Sequence, residues 1–266
     1  MRKLSITTAW NETNAFVRRE ASLLLPIAFL LIAVPTAFFQ LVRASAGENP
    51  EPGAWMLVAL PMAVITTIGS LAIAWLALTP NTSVSEALKM GALRVLPLLG
   101  AILVLMIAGI VVATFILTLF SFAGQSEAAV VGATVFILLL FGAIWIRLIL
   151  MTSIAVAERA GPVAIIRRSW ALTRGHFWHL LGFLLLIAIL FIVVTLAISA
   201  VLGILLSLAA GGRPQPGSLT SFFVLLVGAI INGVVAIYFT AMIARIYAQL
   251  TGGDVAAVFS DQSSGI

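Results

Sequence analysis

Six stretches of this chain, near residues 21–42, 54–79, 95–120, 129–156, 178–209 and 219–249, carry almost nothing but apolar side chains. A helix needs about 20 predominantly apolar residues, each rising about 1.5 Å, to cross a hydrocarbon core roughly 30 Å thick. All six stretches meet that length. Hydrocarbon offers no water to a backbone N–H or C=O, so a crossing segment must close its own hydrogen bonds as a helix or share them around a barrel. Barrel strands are about ten residues long and alternate with period two, and these stretches do neither. The chain therefore reads as all-α: a polytopic integral membrane bundle of six transmembrane helices forming a single membrane domain over 1–266. Mean hydropathy of +1.22 agrees, and few residues remain for a soluble domain.

Lys and Arg set the orientation. Arg2, Lys3, Arg18, Arg19, Lys89, Arg94, Arg159, Arg167, Arg168 and Arg174 fall on one side of the spans, and only Arg43 and Arg213 on the other. Ten against two predicts both termini in the cytoplasm, since basic residues are retained on that side. The loops 44–53, 121–128 and 211–218 then face outward, and 251–266 reads as a flexible tail. The expected location is the cytoplasmic (inner) membrane of a bacterium. Ala44-Ser45-Ala46 resembles a signal-peptidase site, but the preceding apolar run is too long for a signal peptide and has a polar lead of some twenty residues. A pI near 10.7 arises from a net charge of only +5 spread along membrane ends. Anionic lipid headgroups, not nucleic acid, are the partner this predicts, beside a possible membrane or cytoplasmic protein partner. The chain has no cysteine, which removes disulfides and thiolate metal sites.

Shifted by 82 residues, EALKMGALRVLPLLGAILVL (86–105) overlies RRSWALTRGHFWHLLGFLLL (168–187). Leu98-Leu99-Gly100 then falls on Leu180-Leu181-Gly182, Val95 on Phe177, Leu88 on Trp170 and Val84 on Ile166. A shift of about 78 puts Ile6, Trp10 and Val17 on Val84, Leu88 and Val95. The inferred unit is a cytoplasmic amphipathic helix followed by two spans, used three times in parallel over approximately 4–79, 82–157 and 161–250. In the third lead-in, Ile165, Leu172, Ser169, Ile166, Trp170 and Val163 cover one helical side, with Arg168, Ala164, Ala171, Arg167 and Arg174 on the other. Such a helix can lie in the membrane interface, with Trp170 and Trp178 at headgroup level. Gly161-Pro162 starts it, and Gly175 permits a turn into the next span.

The run Glu158-Arg159-Ala160-Gly161, then Arg168-Ser169-Trp170-Ala171-Leu172-Thr173-Arg174-Gly175, then Trp178 and Gly182, resembles the membrane-domain family of glycerophosphoryl diester phosphodiesterases. Arg147 upstream and Ile246-Tyr247-Ala248-Gln249-Leu250 downstream are similar to further family features. Close similarity covers about 145–182 and 244–250. The resemblance implies a six-span helical module linked to lipid or envelope processes. It does not imply phosphodiesterase activity, because the soluble domain that carries that activity in some relatives has no counterpart here.

The nine carboxylates (Glu12, Glu20, Glu48, Glu51, Glu86, Glu127, Glu158, Asp254 and Asp261) all lie outside the middle of the spans. No buried acid–base pair or carboxylate proton relay is in prospect, and HExxH, GxxxxGK[ST] and GxSxG are missing. His176 and His179 stand at i, i+3 without a third ligand, so neither a metal nor another cofactor is expected. Arg147 is the most informative single residue. It lies on the order of 15 Å from the end of the fourth span, where a cation must snorkel, pair or meet water. Thr66, Thr67 and Ser70 in the second span, and Asn232, Tyr238 and Thr240 in the sixth, are candidate partners. Arg147, Arg167, Arg168, Arg174, His176, His179, Trp170 and Trp178 are the candidate lipid- or anion-binding residues. Arg245, near the end of the sixth span, is expected to snorkel. The leading expectation is a non-catalytic module that binds or organises anionic lipid or partner proteins. A transporter or channel for a small amphipathic or lipid-like molecule is the alternative.

Overall fold

A computed structural model describes residues 5–45, 54–79, 82–122, 127–210 and 219–252. Arg2, Lys3, Arg213, most of the three outward loops and the tail from 253 lie outside the described residues. Every element within them is a helix. Helix α1 (Ile6–Arg19) is short and amphipathic. Ser5 caps it, its Oγ accepting from Thr8 N–H at 3.3 Å. The first span runs through α2 (Ala21–Ala28), a π-helical turn (Phe29–Ala33) and α3 (Val34–Ser45). Pro35 has no N–H to donate, and its ring crowds the carbonyl a turn earlier. The backbone widens just before it, and Val34 N–H bonds to the Phe29 carbonyl five residues back.

Helix α4 (Ala54–Leu78) is the second span, and α5 (Val84–Phe122) contains the third. Sequence pattern predicts a separate lead-in helix at the head of α5. It is instead continuous with the span through Pro97, in one helix of 39 residues. The fourth span is divided into α6 (Glu127–Leu148) and α7 (Met151–Ala157) by a turn at Ile149–Leu150. Helix α8 (Pro162–Thr173) follows, then α9 (Phe177–Ala210) and α10 (Leu219–Thr251), which carry the fifth and sixth spans. Among the described residues six helical segments are long and apolar enough to cross a membrane; four start within three residues of the expected positions, the third starts eleven residues earlier and the sixth seven later.

Packing is concentrated at one end of the bundle. Leu71–Leu78 of α4 are all buried, together with most of 149–157 and of 237–247. Ala9 and Phe16 of α1, Ala87 and Val95 of α5 and Ile165 of α8 close this core from the side bearing the basic residues. Gly91 lets α5 approach α4 closely: a Cβ there would lie 2.8 Å from the Ile68 carbonyl oxygen. Toward the other end the helices present apolar side chains outward, as hydrocarbon allows. The fifth span is the extreme case, with only 6% of its most apolar window buried against 39% for the sixth.

Candidate functional site

The break at Ile149–Leu150 makes the site. A helix end leaves its last carbonyls without intrahelical donors, and α6 ends one residue after Arg147. The Ser169 hydroxyl of α8 donates to the Arg147 carbonyl at 2.9 Å. Thr173 reaches the same carbonyl at 3.2 Å but sits closer to the Ser169 carbonyl, at 2.9 Å. Ile165, Ser169 and Thr173 are spaced four apart and form the buried stripe of α8. Ser169 and Thr173 are completely buried, so these hydroxyls require partners, and the broken span supplies one.

The Arg147 side chain is held by the same helix. Its guanidinium lies 5.4 Å from the Trp170 ring centroid and 5.5 Å from that of Phe177, within cation–π range of both. Its Nη1 is buried with no hydrogen-bond partner. Among the described residues the ion pairs are Arg19–Glu20 and Arg168–Glu158, and neither involves Arg147. Thr66, Thr67 and Ser70, expected as partners, donate their hydroxyls to carbonyls of their own helix. Tyr238 stacks on Trp10 of α1 at 5.9 Å, Thr240 is buried and Asn232 half-buried. The structure does not bring these residues to Arg147.

Glu158 is the second joint. Its Oε1 accepts from Arg168 Nε at 3.0 Å and from the Tyr247 hydroxyl at 2.9 Å. One carboxylate thus ties the α7–α8 connection to α8 and to the end of α10. Gly175 follows α8 with φ +90°, where a Cβ would be strained, and turns the chain into α9. Arg168 is therefore neutralised, whereas Arg167 and Arg174 are exposed and not among the described ion pairs. They lie two helical turns, roughly 10 Å, apart. Together with Val163, Ile166, Trp170 and Ala171 they line a shallow furrow of about 440 Å³ on the outer side of α8. Val163 and Trp170 thus belong with the arginines on the outer stripe, not with Ile165 and Ser169. Because α8 is packed on protein along Ile165–Ser169–Thr173, its apolar residues are divided between the bundle and the surroundings.

Trp178 and His179 are exposed, and Trp178 meets Phe177 edge-on at 5.5 Å. His176 is half-buried, with its Nδ1 buried and unpartnered. Arg245 does not simply snorkel. Its guanidinium lies 5.5 Å from the Phe16 ring, and its Nε is buried without a partner. Sequence reasoning overlooked Phe177 as the second wall of Arg147 and Glu158 as a joint. The available signal was the pair of hydroxyls in the apolar stripe of α8, since buried polar groups seek partners.

Six apolar helices around a core at their charged end define a multi-pass α-helical membrane protein. The chain belongs to the family described as Domain of unknown function (DUF7847), whose model matches residues 4–250. No curated protein and no solved structure is significantly similar to it.

Proposed function

We propose that the chain is a non-catalytic module of the bacterial inner membrane that binds anionic lipid through a cytoplasmic collar centred on α8. The observation that carries this reading is the two-sided construction of α8. Its inner stripe is locked to the bundle by Ile165, Ser169 and Thr173, while Arg167, Arg174, Val163 and Trp170 are exposed on the outer side. A cation-bearing furrow with an exposed Trp at its middle suits the boundary between headgroups and acyl chains. Seven of the residues carrying the resemblance to the glycerophosphoryl diester phosphodiesterase membrane domain, Arg147, Glu158, Arg168, Ser169, Trp170, Thr173 and Tyr247, contact one another around α8, which supports reading them as what docks that helix. The hydroxyls of Thr66, Thr67 and Ser70 donate within their own helix rather than to Arg147, so they add no support to the alternative reading of a transporter.

A threefold parallel repeat belongs to the same proposal. Helix α1 lies on α10, the head of α5 on α4, and α8 on α6 and α7, so each lead-in packs on the last span of the preceding unit in cyclic order, α8 resting on α5 as well. Trp10 and Trp170, in register by sequence, meet Tyr238 and Arg147 respectively. These correspondences support the repeat. Orientation is tested by single cysteines at Ser5 and Thr251, because the chain has no cysteine of its own. Both should react with an impermeant maleimide only from the cytoplasmic face. Lipid selectivity is tested by reconstitution into mixed phosphatidylcholine–phosphatidylglycerol vesicles, extraction with the surrounding lipid in polymer-bounded discs, and quantification of that lipid. We expect phosphatidylglycerol to be enriched over its share of the vesicle, an enrichment lost in the Arg167→Ala/Arg174→Ala double variant. Vesicle composition unchanged around the unaltered protein refutes the reading.

A further inference from the structure

Two polar atoms at the α8–α9 junction lack partners although both are buried: Arg147 Nη1 and His176 Nδ1. Phe177, whose ring lies 5.5 Å from the Arg147 guanidinium, directly follows His176 in the chain. We propose that these two nitrogens form a subsite for one phosphate group of a membrane lipid, walled by Trp170 and Phe177. The proposal rests on the lipid-binding reading of the collar and assigns it a specific headgroup position.

Both rings contact the guanidinium through their faces, which accept no conventional hydrogen bond, so the N–H donor at Nη1 still needs an acceptor. A water could accept from Nη1, but it would not balance the charge. A half-buried cation without a carboxylate partner favours an anion, and Glu158, the nearest carboxylate in sequence, is engaged by Arg168 and Tyr247. A phosphate offers several acceptor oxygens, enough for Nη1–H and for His176 in its Nδ1–H form. Access runs through the outer furrow. Trp170 is shared between that furrow and the Arg147 site and is 45% exposed. Rotation of its indole away from the bundle opens the Arg147 guanidinium to the furrow, with the acyl chains beside Val163 and Ile166. Free phosphate offers the same acceptor chemistry as the lipid headgroup, and the experiment separates the two sources.

The full-length protein is reconstituted in phosphatidylcholine nanodiscs doped with phosphatidic acid. Retained lipid is counted by native mass spectrometry, and Trp emission is followed on adding inorganic phosphate alone. One phosphatidic acid should survive release from the nanodisc. Its retention should fall by about tenfold in both Arg147→Lys, which keeps the charge but loses the planar fork, and His176→Leu. Inorganic phosphate should neither displace it nor shift the emission. Displacement by inorganic phosphate overturns the lipid source, and undiminished retention in folded His176→Leu overturns the subsite. Arg167→Ala/Arg174→Ala separates the levels. Retention of the single lipid with loss of phosphatidylglycerol enrichment upholds the subsite, whereas loss of both in that variant overturns it as a distinct position.

Discussion

Arg147 is held at both ends, carbonyl and guanidinium, by the same short helix. That places two kinds of contact, hydroxyl hydrogen bonds and cation–π contacts, under the control of three residues of α8 and one of α9. Glu158 performs a similar double task with a single oxygen. Removing the Tyr247 hydroxyl leaves Arg168 on Glu158 but deletes the tie to α10. Tyr247→Phe should therefore destabilise the detergent-solubilised protein by about 1–3 kcal/mol, seen as a lower thermal midpoint. Gly175→Ala should cost roughly 1 kcal/mol by the same measurement, because φ +90° disfavours a Cβ. Glu158, Arg168, Trp170 and Gly175 stood out in the sequence as a pattern. What each one touches did not, because the partners Arg147 and Tyr247 lie in other helices, 23 residues before Trp170 and 89 after Glu158.

At the scale of elements, the helical period of α8 was readable but its direction was not. A face containing Val163, Ile165, Ile166, Ser169, Trp170 and Leu172 looks like one apolar side. Whether the bundle takes its Ile165 edge or its Trp170 edge depends on where acceptors lie, and the broken fourth span provides one at Arg147. Ser169 and Thr173 should accordingly act together. Ser169→Ala alone should be mild because Thr173 lies within 3.2 Å of the same carbonyl. The Ser169→Ala/Thr173→Ala double variant should exceed the sum of the singles and open 158–176 to limited proteolysis. The continuity of α5 has a comparable cause. Pro97 removes one backbone donor, yet Leu98 and Ala101 on the following turn are buried, and that packing holds the helix together across it.

At the scale of the molecule, the protein is tightly packed at its basic end and spread at the other, where surrounding hydrocarbon takes the place of protein contacts. Substitutions should divide accordingly. Ile154→Ala, at a fully buried position of α7, should cost roughly 2–5 kcal/mol. Ile189→Ala, on the outward face of α9 at 60% exposure, should stay within about 0.5 kcal/mol, both measured by thermal unfolding in detergent. The six crossings and the all-helical class followed from sequence alone, because an apolar run of that length leaves the backbone no other way to satisfy its hydrogen bonds. Neither the docked side of α8, the pairing of Glu158 with Tyr247 nor the aromatic contacts of Arg147 could be derived that way. Each depends on which carbonyl, carboxylate or ring another helix brings within a few ångströms, and only the tertiary structure decided that.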